Sequence, residues 1–231
     1  MCKYCQYIDG QAICAPLNAI CNFCVFGDRK MYERAEAAVK ATSLVKNVQV
    51  YGIEDSIKAS KYPMSVNTDS CDGDITGTTR KLGRCVTGTG HDQFLTGIIV
   101  QFDLTFSIKA WTEAQRYHFF DFVSSQSTMH RIAKFDIAEQ CNEYVHFGTI
   151  SVVKGLLDIY NDDPTPDNYL RLLYNIPVGF RLTARMTTNY RQLKTIYKQR
   201  KNHRLPEWRE FCKWCEGLPY FMELCIGREK E

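Results

Sequence analysis

The chain has 231 residues, 45% of them hydrophobic and 24% charged, and a formal net charge of +3. That length is enough for one well-filled core, and the charge balance gives no general attraction to nucleic acid or to a membrane surface. No stretch approaches the ~20 uninterrupted apolar residues of a membrane helix, so neither nucleic acid nor membrane is an expected partner.

The first 28 residues stand apart, holding five of the eleven cysteines: Cys2, Cys5, Cys14, Cys21 and Cys24. An odd cysteine count in a chain this long points to free or metal-bound thiols in a reducing compartment, and the cytoplasm is the expected location. The apolar run at 12–26 is interrupted by Asn18 and Asn22 and preceded only by Lys3, which makes a poor secretory signal. Residues 1–28 therefore read as a Cys-rich extension and residues 29–231 as the main domain. The pairs Cys2-x-x-Cys5 and Cys21-x-x-Cys24, fifteen residues apart, have the spacing of a zinc site. Four thiolates there could close a structural tetrahedron, with Cys14 able to replace one of them. The alternative is a buried apolar arm, formed with Ile13, Leu17, Ile20, Phe23, Val25 and Phe26.

Residues 31–46 carry Ala35, Ala38, Val39 and Ala41 among charged neighbours and predict a helix. A short strand at 48–51 and a helix at 54–60 follow. Residues 67–90 are rich in Thr, Gly, Asp and Ser and predict a long polar loop. The clearest strand spans 97–109, where Val100, Phe102, Leu104 and Phe106 alternate with Gln101, Asp103, Thr105 and Ser107. A helix is predicted at 111–122, carrying Arg116 and His118, then a polar turn at 124–131. A second alternating strand occupies 178–186. The next helix starts at Thr188 or Asn189, both suitable caps, and runs to Arg200. Pro206 suits the first turn of a last helix with Glu207 and Trp208. Strands and helices without regular alternation favour an α/β or α+β domain.

Glu113, Gln115, Arg116 and His118 cluster near one predicted helix, and Asn189, Arg191, Thr195 and Arg200 on another. Arg191 and Thr195, four residues apart, share a helical face. A helix start bearing free amides and an arginine suits an anion such as phosphate, and two such elements face to face would make an anion-binding cleft. The alternative is a solvated basic face that includes Lys194, Lys198, Lys201 and Arg204. Cys212 and Cys215, beside Trp208, Phe211 and Trp214, read as packing residues. His203 and the pair Asp162 and Asp163 read as solvated loop positions.

The spacing of Asn189-x-Arg191-x-Leu193, with Arg200 nine residues after Arg191 and a Glu207-Trp208 pair beyond, resembles the C-terminal motif of flavin-dependent thymidylate synthases. Upstream, Arg116-Tyr117-His118 stands where that family has Arg-His-Arg, with Ser127 after eight more residues and His91 25 residues before Arg116. The signature departs at Tyr117 and His118, and Thr128 to Arg131 differ from the family's residues after the serine. The resemblance covers roughly residues 48 to 220. It implies an α+β fold, a twisted, largely antiparallel sheet packed by helices, with the Cys-rich extension added.

The resemblance also implies roles. Arg116, Tyr117, His118 and Phe119 would border FAD, while Asn189, Arg191 and Thr195 would hold its far end. His91 would lie near the isoalloxazine and the folate. Arg200 would sit against the uracil ring and activate C5. Ser125, Gln126 and Ser127 would cradle the nucleotide phosphate, with Arg131 a candidate additional ligand, and Glu113, Gln115 and Arg116 would line the ribose. The implied reaction converts dUMP to dTMP, with methylene-tetrahydrofolate as carbon donor and NADPH as reductant, in a homotetramer. Two alternatives are a variant that methylates or hydroxymethylates another pyrimidine nucleotide, and a zinc-containing nucleotide-binding protein without turnover on the same scaffold.

Overall fold

The alternation at 97–109 is that of a strand buried on one face, and the sheet is built around it. A computed structural model describes residues 44–227 in full, together with the backbone of 5–8, 11–14 and 19–20. Three short strands, β1 (Cys5–Ile8), β2 (Gln11–Cys14) and β3 (Ala19–Ile20), form an antiparallel sheet in that order. Cys2, Cys21 and Cys24, the boundary after residue 28, and residues 31–43 of the predicted first helix lie outside the described residues. Cys5 enters only through the backbone of β1.

The larger unit comprises residues 44–127 and 181–227. Its sheet has four strands, β4 (Val45–Tyr51), β5 (Ile99–Ser107), β6 (Phe120–Ser125) and β7 (Arg181–Asn189), in the order β4-β5-β7-β6 and antiparallel throughout. Val100, Phe102, Leu104 and Phe106 are fully buried and share the core with Ala184 and Met186 of β7. The other face is polar. There Thr105 bonds Thr183, and the Arg185 guanidinium reaches Asp103 and Gln49. One buried and one polar face is what period-two patterning produces in an antiparallel sheet.

Helix α1 (Ile53–Ala59) follows β4. The polar stretch at 67–90 is not wholly a loop, since α2 (Gly77–Arg84) lies within it. Two glycines and two threonines give that helix little intrinsic propensity. It forms because Thr76 and Thr79 cap its start reciprocally and because it docks on a π-helical turn at Met222–Ile226, where Arg80 pairs with Glu223.

The predicted helix at 111–122 is also corrected. Helix α3 (Ile108–Ala114) starts at the Ser107 cap and ends early. A tight turn follows, Phe119 adopts a left-handed φ of 59°, and residues 120–125 become β6. Phe120, Phe122 and Val123 favour a strand, and β7 offers an edge to pair with. Similarly, residues 45 and 46, expected in a helix, start β4, and the strand expected at 178–186 runs from 181 to 189. Helix α8 (Tyr190–Arg200), capped by Asn189, and α9 (Pro206–Glu216) begin where expected. Cys212 and Cys215 pack in the core, where burial pushes the Cys212 thiol up to about 12 and raises the Cys215 thiol well above its ordinary value.

The other unit contains residues 128–180, which fall in sequence between β6 and β7. It comprises α4 (Thr128–Arg131), α5 (Ile137–Gln140), α6 (Phe147–Asp162) and α7 (Pro166–Tyr174). The caps are Asp136, His146 and Thr165. No element is predicted for this stretch from the sequence, although Phe147, Ile150, Val153, Leu157 and Tyr160 of α6 recur at helical intervals. Asp162 and Asp163 are exposed as expected, though Asp162 ends α6 rather than lying in a loop and Asp163 accepts from the Asn168 amide. Among the described residues no helix is long and apolar enough to cross a membrane.

Two glycines in helices separate packing from propensity. A Cβ at Gly83 would lie 2.2 Å from the Leu224 carbonyl oxygen, whereas one at Gly155 would meet nothing within 4 Å. Gly83→Ala is expected to destabilise by about 1–3 kcal/mol. Gly155→Ala is expected to stabilise by up to about 1 kcal/mol. Thermal melts of both variants check this, and equal shifts would contradict the packing described.

Candidate functional site

Strand register brings three of the sequence-predicted segments to one end of the sheet. Ile99 pairs with Asn189, and Phe120 pairs with Thr188. The segment from His91, the turn at 116–119 and the start of α8 therefore adjoin. Thr188 Oγ1 donates to the Phe119 carbonyl, and the Tyr190 amide donates to the Ile98 carbonyl, which ties the three together. Arg116, His118 and His91 are exposed and have no side-chain partner among the described residues. Phe119 is also exposed. Asn189 Oδ1 is occupied by the Gln192 amide, which leaves its amide nitrogen for a ligand. Thr195 donates to the Arg191 carbonyl one turn back.

Arg191 is held from behind. Its Nε donates to Asp92 Oδ1 at 2.9 Å, and the other Asp92 oxygen takes Lys194 Nζ at 2.7 Å. Lys194 also donates to the Cys85 carbonyl. Asp92 and Lys194 are fully buried, so Lys194 does not belong to a solvated face. Burial is the largest influence on the Asp92 carboxyl and raises it, but Lys194 and Arg191 together outweigh burial and hold it below the ordinary carboxylate range. The sequence carried one signal for this lysine. With Tyr190, Leu193 and Tyr197, position 194 completes the i, i+3, i+4, i+7 stripe that faces a core.

A second cluster forms at the far end of α8, about 14 Å from Arg191 by helical rise. Arg200 donates through Nε to the Tyr117 hydroxyl at 2.7 Å and through Nη1 to Glu113 at 3.0 Å. Tyr117 in turn donates to Gln199. The Arg200 guanidinium lies over the rings of Tyr117 and Trp208. Trp208 Nε1 is buried without an acceptor among the described residues, an unmet donor beside this cluster.

His203 is part of that cluster and not a solvated loop residue. Its Nε2 lies 2.7 Å from Arg200 Nη1 and 3.3 Å from Glu113. A guanidinium only donates, and the Leu205 amide also donates to Nδ1, so the ring faces a donor at each nitrogen and its protonated form is disfavoured. Burial first, and the Arg200 charge second, hold His203 below its ordinary value, against the opposing pull of Glu113. Burial raises Glu113, but Lys109, His203 and Arg200 together bring it below its ordinary value.

Other predicted positions lie apart. Ser125 and Gln126 are at the opposite end of β6 from the 116–119 turn, about 16 Å along the strand. Gln126 extends the ladder, donating its amide to the Thr183 carbonyl and accepting the Thr183 amide on its side chain. Gln115 is exposed at the end of α3, Ser127 ends the larger unit, and Arg131 belongs to α4. Asp92, Lys194 and His203 are the site residues that motif reading missed.

An antiparallel sheet packed by helices, with cationic donors gathered at one end, matches a known fold. No family model matches the sequence, and no curated protein matches it. The structure resembles a flavin-dependent thymidylate synthase from Helicobacter pylori solved with FAD and dUMP, at a TM-score of 0.64 and 14% identity. That match covers 79% of this chain and 99% of the other. A second structure of thymidylate synthase X from Helicobacter pylori, also with FAD and dUMP, matches at TM-score 0.64 and 17% identity over 79% and 96% of the two chains. A UMP/dUMP methylase from Streptomyces cacaoi, bound with 5-Br UMP, matches at TM-score 0.51 and 13% identity over 78% and 91%. The chain thus has the flavin-dependent thymidylate synthase fold.

The shifts of His203 and Glu113 act in one direction. A lowered imidazole means the unfolded chain binds more protons, so stability is full above about pH 6.5 and falls as the medium is acidified. The lowered Glu113 carboxyl extends that loss at more acidic pH. The melting temperature is expected to drop as pH falls from about 7 to about 5, with His203→Gln flattening the upper part of the profile. An unchanged profile in the variant would contradict the assignment.

Proposed function

We propose that the protein is a flavin-dependent enzyme that transfers a one-carbon unit from methylene-tetrahydrofolate to C5 of dUMP, with NADPH as reductant. The observation that carries this is the pair of arginine-centred clusters at the two ends of α8, on a fold whose solved examples hold FAD and dUMP. The described residues fit the cofactor. Arg116, His118 and the two Nη groups of Arg191 offer unpaired N–H donors to an anionic dinucleotide.

Bound FAD supplies the redox chemistry. The chain supplies binding and electrostatics. Arg191, Asn189 and Thr195 hold the cofactor, with Arg116, Tyr117, His118 and Phe119 along its other side and His91 by the ring. Arg200, fixed by Tyr117, Glu113 and His203, would present Nη2 to the uracil ring, where it favours negative charge at N3 and O4 and so activates C5 as the nucleophile. Ser125, Gln126, Ser127 and Arg131 are proposed phosphate ligands. The separation of Ser125 and Gln126 from Arg116 along β6 is met if a second copy supplies them, consistent with a tetramer. Glu113, Gln115 and Arg116 line the ribose.

A second reading is methylation or hydroxymethylation of another pyrimidine nucleotide. It is favoured by Glu113, whose carboxylate already engages Arg200 and lowers the charge offered to a uracil ring.

The purified protein is expected to be yellow, with a flavin absorption spectrum. Arg200→Ala is expected to keep FAD and lose turnover of dUMP by about a hundredfold or more. A colourless protein that FAD cannot reconstitute overturns the flavin reading. Full activity in Arg200→Ala overturns the uracil site, and turnover of UMP or dCMP in preference to dUMP selects the second reading.

A further inference from the structure

Asp92 and Lys194 are the two charged side chains that are fully buried among the described residues. Nothing in the proposed chemistry calls for either. Taking both out of water is costly, and an apolar pair of equal volume fills such a space as well or better. Stability is therefore a poor reason for the pair, and its geometry points elsewhere.

Asp92 divides its two oxygens. Oδ2 meets Lys194, and Oδ1 meets Nε of Arg191. Nε is the one guanidinium nitrogen on the stem side of the fork, so this bond fixes the plane and leaves both Nη groups facing outward. Arg191 itself is partly exposed, at 27%. The charges complete the design. An aspartate alone behind Arg191 would neutralise it, whereas Lys194 cancels the carboxylate and the three groups together keep a charge of +1. Lys194 also anchors the chain at Cys85, and the backbone at Asp92 adjoins His91. One buried pair thus sets the direction of Arg191, preserves its charge and fixes the segment carrying His91.

We propose that Asp92 and Lys194 are positioning residues that hold Arg191 as a preorganised clamp for the phosphate groups of a nucleotide cofactor. That the anion is the pyrophosphate of FAD rests on the flavin reading above. The clamp itself rests on the geometry. Orientation fixed before binding avoids an entropic loss on binding.

Asp92→Asn separates orientation from charge. The substitution adds one positive charge to the cluster, so charge alone predicts tighter anion binding, whereas a merely structural role predicts no change. The positioning role predicts binding weaker by about tenfold, the worth of one charge-assisted hydrogen bond. Binding is measured for FAD by flavin fluorescence and for inorganic pyrophosphate by calorimetry, on full-length protein whose folding is confirmed by circular dichroism. Arg191→Ala is expected to lose as much or more, and Asp92→Asn in that background is expected to add nothing. If Asp92→Asn does not fold, the double variant Asp92→Asn with Lys194→Met removes both buried charges and is expected to show the same tenfold loss. Unchanged or tighter binding in the folded variant, or losses that multiply with Arg191→Ala, overturns the proposal. Wild-type protein that binds pyrophosphate but not FAD keeps the clamp and sinks the flavin reading. Binding of neither overturns both.

Discussion

The site depends on the burial of one face of β5. Val100, Phe102, Leu104 and Phe106 lose all contact with water, and the helices that cover them are α8 and α9, which share their aromatic core. Phe102 meets Phe211 and Trp214, and Phe106 meets Trp208 and Phe211. Because α8 follows directly from β7, its first residue is bound to the backbone just before β5. The helix has no freedom to slide. Its two arginines are thereby set about 14 Å apart along the axis, one beside the His91 segment and the other beside Trp208.

The two clusters treat their arginines differently. Arg191 keeps its charge because a lysine offsets the aspartate behind it. Arg200 shares its charge with a carboxylate, a phenol and an imidazole, and is stacked on two rings. The first suits an anion that remains an anion throughout. The second suits a neutral group that acquires charge, since a guanidinium already partly compensated binds a neutral carbonyl without a strong prior demand for an anion. Glu207 reinforces the arrangement by bonding the backbone and side chain of Ser107, so that the start of α9 also caps the start of α3, which carries Glu113.

Elements with a strong repeating pattern were legible in the sequence. The alternation of β5 and the cap and apolar stripe of α8 gave both elements close to their true bounds, because each pattern reflects one buried face. The turn at 116–119 was not legible. Residues from Trp111 onward suit a helix locally, and only pairing with β7 converts residues 120–125 into a strand. Helix α2 was hidden for the opposite reason, since its sequence is poor in helix formers and its support comes from Thr76 and from Glu223, far along the chain. Arg191, Arg200 and Asn189 were singled out by spacing. Asp92 and His203 were not, because what makes them significant is the company of distant side chains; the stripe of α8 marks Lys194 as core-facing but does not report its partner Asp92.

The sheet order also makes the two walls of the proposed site unequal in stiffness. His91 precedes β5 and Arg191 follows β7, strands with neighbours on both sides, whereas the turn carrying Arg116, Tyr117 and His118 leads into β6, an edge strand paired on one side alone. Moving the first wall disturbs the centre of the sheet; moving the second disturbs one ladder at its margin. Adaptation to a differently shaped ligand is therefore cheapest at the 116–119 turn. It is there that the sequence departs from the Arg-His-Arg pattern, while α8 keeps its asparagine and both arginines.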